Sequence, residues 1–186
     1  MNQRHRIFIA INLPEEIRKK LAEYQEKWPE LPVRWTKVEN LHITLVFIGY
    51  ASNEELLEVC KITKEVALRH SPFDINLIKI CYGPTGKESP RMIWAVGEKS
   101  DAFASLKNNL DKSLATSEGR EFSPHITLGR IRKWDWQRIE PEERPVIEED
   151  INLSFSVESI EIMESVLKRG GPEYAILESY NLELKI

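Results

Sequence analysis

Two identical tetrapeptides hold the residues whose types and spacing could do chemistry: His42-Ile43-Thr44-Leu45 and His125-Ile126-Thr127-Leu128. Only four histidines occur in the chain, and two of them open these stretches. On a strand, residues two apart share a face. Each copy therefore sets a histidine beside a threonine and turns its aliphatic residues the other way. One His-x-Thr is most simply a polar strand surface. Two copies with the same apolar flanks predict two polar faces lined up across a cleft. An imidazole titrates near ~6.5, so two of them can divide acid and base work near neutral pH. Opening a cyclic phosphodiester with water needs both roles. Water must lose a proton to become a nucleophile, and the ribose oxygen must gain one to leave. Each role is typically worth ~10²–10⁴-fold in rate. Thr44, Thr127 and nearby amides could hydrogen-bond the non-bridging oxygens.

A positive group would help to hold the phosphate, and Arg130 follows the second motif. Its odd offset from His125 would turn it away on a regular strand, but Gly129 could break that register. Contact with substrate and an outward surface charge both remain open for Arg130 at this point. Neither motif includes an Asp or Glu placed as a ligand, so no metal is expected. His5, in a basic leader, and His70, at a helix end where a cation is favourable, read as structural.

The elements that must position these residues follow from periodicity. Residues 6–12 read as a strand. Pro14 can open a helix whose first turn holds Glu15 and Glu16 and whose end lies near Trp28-Pro29. Residues 33–35 form a short extended piece. Residues 41–48 are a strand closed by Gly49. Ser52 and Glu55 make a capping box for a helix running to about Arg69. Residues 73–82 and 91–96 make a hairpin around a loop at 85–90. A helix starts at Ser100-Asp101 and ends near Leu114, with a loop at 118–120 behind it. Residues 122–131 include the second motif strand, and 134–139 a short helix. Residues 141–150 read as an acidic connection, and 155–167 and 174–184 as two closing strands. Mixed helices and hairpins exclude a purely parallel sheet. One motif in each half of the chain predicts an α+β fold with two lobes.

The 186 residues are 41% hydrophobic and 30% charged, an ordinary globular composition. No apolar run reaches the ~20 residues of a membrane span, and the N-terminus reads as a first strand instead of a signal peptide. Cys60 and Cys81 read as buried reduced thiols of a cytoplasmic protein. A net charge of −4 argues against a general nucleic-acid coat, so an anionic substrate needs a local positive site. No glycine loop suited to cradling phosphates is present, and no cofactor is expected.

The residues around both motifs resemble those of a known family. Arg34-Trp35 with Glu39-Asn40-Leu41-His42-Ile43-Thr44-Leu45 and Phe47-Ile48-Gly49 is similar to the first signature of the 2H phosphoesterases, specifically the RNA 2′,3′-cyclic phosphodiesterases first described as 2′-5′ RNA ligases. Pro124-His125-Ile126-Thr127-Leu128-Gly129-Arg130 is similar to the second. The likeness extends over nearly the whole chain: Arg6–Pro14 resembles the opening strand, Arg91–Trp94 the middle hairpin, and Glu164-Ser165, Gly171-Pro172 and Tyr174 the closing one. It implies one bilobal domain over residues 1–186, with two antiparallel sheets related by a pseudo-twofold, helices outside and a central cleft. It implies hydrolysis of RNA 2′,3′-cyclic phosphate ends to 2′-phosphomonoesters without a metal, on RNA that could include tRNA fragments. His42 would be the proton donor and His125 the proton acceptor, with Thr44 and Thr127 on the phosphate. A cytoplasmic monomer is the expected form. The alternatives are 2′-5′ ligation of tRNA halves at the same site and RNA-end binding without turnover. Trp35 and Tyr174 are candidates for stacking on a base, with core packing the simpler role for each.

Overall fold

Nine strands form among the described residues, several of them with apolar residues at every second position, and amphipathic helices cover one side of the sheet. The computed structural model describes residues 4–84, 89–116 and 122–183. The loop expected at 118–120, most of the one at 85–90 and the end of the last strand lie outside the described residues. The strands are β1 (His5–Asn12), β2 (Val33–Trp35), β3 (His42–Ala51), β4 (Phe73–Gly83), β5 (Met92–Gly97), β6 (His125–Ile131), β7 (Glu148–Val157), β8 (Ser159–Lys168) and β9 (Gly171–Asn181). The helices are α1 (Glu15–Gln25), α2 (Asn53–Ala67), α3 (Asp101–Leu114) and the short α4 (Lys133–Gln137). Ser52 caps α2 as expected: its hydroxyl accepts from Glu55 N at 3.2 Å, and its own N–H donates to the Glu55 carboxylate at 2.7 Å.

The α+β class is as expected, but the two separate sheets are not. The strands form one sheet in the order β7-β4-β5-β6-β3-β1-β8-β9, with β2 added beside β6. Every ladder is antiparallel. The halves join where β3 meets β6 at one residue pair, Ile43 opposite Ile126. Both isoleucines are fully buried, so the joint is sealed by the core.

Three further boundaries differ. Strand β3 continues past Gly49, which takes a positive φ of 89° inside it and shapes a bulge rather than an end. The supposed connection 141–150 already includes the start of β7. What looked like one strand from Phe155 is two: β7 pairs with β4, and β8, after Glu158, pairs with β1 in the other half. The period-two burial of Ile151, Leu153, Phe155 and Val157 marks β7 in the sequence.

The core lies between the helices and one sheet face. Ile7, Ile9 and Ile11 of β1 pack there with Ile17 and Leu21 of α1, Val59 and Val66 of α2, and Phe103, Leu106 and Leu110 of α3. Phe8 and Ala10 of β1 point to the opposite face and are also buried, against Met163 and Tyr174. This explains the unbroken apolar run Ile7–Ile11: β1 is covered on both sides. The helix-free face carries the two motifs.

Candidate active site

The Ile43–Ile126 pair fixes the arrangement of the polar residues. Directly opposed residues of an antiparallel pair point to the same face, and their neighbours point to the other. With both isoleucines in the core, His42, Thr44, His125 and Thr127 are all turned to the helix-free face. All four are half-buried. The sequence expectation was two polar faces lined up across a cleft; the structure brings them together side by side on one sheet.

Each imidazole is anchored in the same way. His42 Nδ1 lies 2.7 Å from the Asn40 carbonyl, and His125 Nδ1 lies 3.0 Å from the Ser123 carbonyl. A carbonyl only accepts, so Nδ1 carries the proton in both rings and Nε2 is the working nitrogen. Thr44 Oγ1 stands 3.0 Å from His42 Nε2. Thr127 Oγ1 instead points toward Met92 Sδ at 4.0 Å. Burial holds the pKa of both histidines below the ordinary imidazole value, and the carbonyl contacts oppose that shift in part.

Aromatic walls supply the burial, and sequence reasoning assigned most of them no part in the site. The Trp94 indole stacks on His125, with centroids 4.1 Å apart and planes at 29°, and Phe122 flanks the same ring. Phe8 tilts against His42 at 5.0 Å, and Tyr174 meets His42 edge-on at 5.2 Å. Trp94 was discoverable in principle, since it lies opposite Thr127 in the β5–β6 ladder, but that register is not written in either strand alone. Of the two stacking candidates, Trp35 packs against the main core, whereas Tyr174 borders the site.

Arg130 is on the same face as the histidines, and a bulge puts it there. Trp94 pairs with Thr127, but the next residue of β5, Ile93, pairs with Gly129, so Leu128 has no opposite on β5. The extra residue reverses the alternation beyond it. Leu128 and Gly129 both face the core, and a Cβ on Gly129 would lie 2.4 Å from Val33 Cγ1 and 2.8 Å from Trp35 Cε3. Arg130 then pairs with Met92, and its Nη1 lies 3.8 Å from Met92 Sδ, the sulfur that Thr127 also approaches. The Leu128 carbonyl left over by the bulge accepts from Thr36 N at 2.8 Å and Gln25 Nε2 at 2.9 Å.

Asn40 is a positioning residue that the sequence did not single out. It is buried, its carbonyl holds His42, and its Nδ2 donates to the Pro172 carbonyl at 2.8 Å. The β8–β9 turn is thereby tied to the strand entering the first motif. His5 is structural, bonded to Glu164 at 2.8 Å and Asn53 at 3.0 Å, and His70 meets Asn109 at 2.9 Å. Cys60 and Cys81 are free and half-buried. Among the described residues, no three His, Cys, Asp or Glu side chains gather as a metal-binding group. No helix there is long and apolar enough to cross a membrane.

Comparisons with known proteins agree with this geometry. A model of the LigT like Phosphoesterase family matches residues 11–94, which include the first motif. Whole-length likeness reaches the second. An RNA 2′,3′-cyclic phosphodiesterase of Thermus thermophilus is 32% identical over 95% of this chain and 90% of its own length. One of Thermotoga maritima is 30% identical over 96% of both. A solved structure from Thermus thermophilus superposes with a TM-score of 0.80 at 30% identity, covering 95% of this chain and 97% of that one. E. coli LigT complexed with phosphate gives 0.79 at 26% identity, covering 98% and 99%. With both motifs on one face and likeness along its whole length, the chain belongs to the 2H phosphoesterases, in the LigT-like family of RNA 2′,3′-cyclic phosphodiesterases.

Proposed function

We propose that this protein hydrolyses RNA 2′,3′-cyclic phosphate ends to 2′-phosphomonoesters. The observation that carries the reading is the pair of imidazoles on one face, both with Nδ1 tied to a backbone carbonyl and Nε2 left for proton transfer. In the step, His125 Nε2 takes a proton from water as its oxygen attacks phosphorus. The P–O3′ bond breaks, and His42 gives its proton to the departing O3′. Thr44, Thr127 and Arg130 hold the non-bridging oxygens. Stacking on Trp94 supports this division of roles, because an indole face favours the imidazolium that the acceptor becomes. The anionic phosphate raises the pKa of an adjacent imidazole, which offsets the lowering by burial and lets His42 hold its proton in the complex.

The sheet divides at the Ile43–Ile126 joint into two halves, β7-β4-β5-β6 with β2 added beside β6, and β3-β1-β8-β9, each with a motif strand at the joint. We read these halves as lobes related by a pseudo-twofold about a central cleft, within one domain over residues 1–186. A cytoplasmic monomer acting on RNA ends, tRNA fragments among them, fits a site built from a single chain and two free thiols.

The test is incubation, with EDTA present, of an oligoribonucleotide ending in a 2′,3′-cyclic phosphate, followed by identification of the product. A 2′-phosphate product from the wild type that is lost in both His42→Ala and His125→Ala is the expected result. Intact substrate with the wild-type protein would sink the reading.

A further inference from the structure

Arg130 is not alone on its face. Strand β2 pairs with β6 so that Val33 lies opposite Ile131, Arg34 opposite Arg130 and Trp35 opposite Gly129. Val33 and Trp35 pack into the core, and the missing side chain of Gly129 would point at them. The alternation therefore turns Arg34 to the helix-free face, directly across from Arg130. Neighbouring strands stand about 4.7–4.9 Å apart, so two guanidinium stems rise side by side. Both are exposed, and neither makes an ion pair among the described residues. Arg34 reaches toward the β8–β9 turn: a Cβ on Gly171 would fall 2.3 Å from its Nη2. The next residue, Pro172, is tied through Asn40 to His42. Arg34 thus reaches from β2, beside the strand of the second motif, toward the first.

The two stems start side by side but their heads part, Arg130 toward Met92 and Arg34 toward Gly171, so the pair offers two separate positive points for anions. A 2′,3′-cyclic phosphate is a monoanion, which one guanidinium neutralises. We infer that Arg34, beside Arg130, binds a second phosphate of the substrate, the phosphodiester on the 5′ side of the terminal nucleotide. The site then prefers an RNA chain to a lone cyclic nucleotide. This rests on the phosphodiesterase reading above, with the scissile phosphate at the histidines. Arg34 touches substrate away from the reacting atoms and sets specificity.

The experiment compares adenosine 2′,3′-cyclic phosphate, which has no 5′ phosphate, with the dinucleotide ApA ending in the same group. Wild-type protein is expected to favour the dinucleotide about tenfold in kcat/KM, mostly through KM, the low end for a hydrogen bond to a charged group. Arg34→Ala is expected to erase that preference and leave the mononucleotide rate unchanged. The slope of log kcat/KM against log salt for the dinucleotide should fall by about 0.7, one phosphate contact on a single strand. Arg34→Lys should keep the slope and lose part of the affinity, and Arg69→Ala, on the helical side, should change neither. Equal wild-type rates on the two substrates, or an equal loss on both in Arg34→Ala, would overturn the inference and leave the phosphodiesterase intact. No hydrolysis of either by the wild type would remove the reading beneath it as well.

Discussion

Gly83 tests whether the indole beside His125 positions it. Gly83 closes β4 opposite Met92 of β5, and the indole of Trp94, two residues along β5, covers its Cα. A Cβ at Gly83 would fall 2.2 Å from Trp94 Cδ2 and 2.5 Å from Cε3, both deep in the rigid ring system. Restoring ordinary contact at 3.4 Å demands a movement of about 1.2 Å, and misplacement by ~1 Å is enough to cost about 10²-fold in rate. The opposite side of the indole rests on His125 at 4.1 Å between centroids, so the displacement is delivered to the imidazole. Gly83→Ala is therefore expected to lower kcat about 10²-fold. Overpacking of this kind typically costs about 1–3 kcal/mol of stability, a loss that leaves the protein folded at 25 °C. The assay is kcat on a cyclic-phosphate RNA end, with urea unfolding followed in parallel to separate activity from stability. Gly170→Ala is the control, because a Cβ there meets nothing within 4 Å and should change stability by no more than about 0.5 kcal/mol. A Gly83→Ala protein with wild-type kcat would refute the argument, since the ring would then have moved without disturbing His125.

Four more outcomes follow from the same contacts. Burial lowers both motif imidazoles from 6.5, so with the proposed acid and base roles kcat/KM, which reports the free enzyme, should be bell-shaped with its peak on the acid side of 6.5; a peak on the alkaline side would contradict the burial argument. The same lowering ties stability to pH: the contribution of the two neutral rings is complete above 6.5 and shrinks as pH falls toward their folded-state values, which urea midpoints across that window would show. The Glu164 and Asn53 bonds raise His5, so its contribution is complete below 6.5 and fades as pH rises through the raised value; a proton NMR titration of its ring should place the midpoint above 6.5. Ser52→Ala removes the acceptor for Glu55 N and should cost about 0.5–2 kcal/mol in urea unfolding with no change in kcat, since α2 lies on the helical side.

The readable parts of the sequence were the local ones. The period-two alternation inside each His-Ile-Thr-Leu told which residues share a face, because alternation is a property of one strand. The capping box at Ser52 was equally local, its two bonds spanning three residues. The site's walls were not legible in the same way. Phe8 sits in a run apolar at every position, and nothing within that run says that it faces His42 while Ile9 faces the helices. Strand β7 carried a period-two signal but opens on Glu148-Glu149-Asp150, and that acidity disguised it as a connection.

The sequence by itself determined the chemistry on offer: two imidazoles, two hydroxyls and an arginine on strands of known polarity. Only the tertiary structure decided how they are aimed. The single Ile43–Ile126 pair makes one sheet of two halves and puts both motifs on one face. The bulge at Leu128 brings Arg130 to that face, and the β2 register sets Arg34 across from it. Backbone carbonyls at Asn40 and Ser123 choose the tautomers. The physical reason is register. A strand's side chains alternate by covalent geometry, but which residue stands opposite depends on a partner far away in the chain, and a slip of one position turns every side chain to the other face.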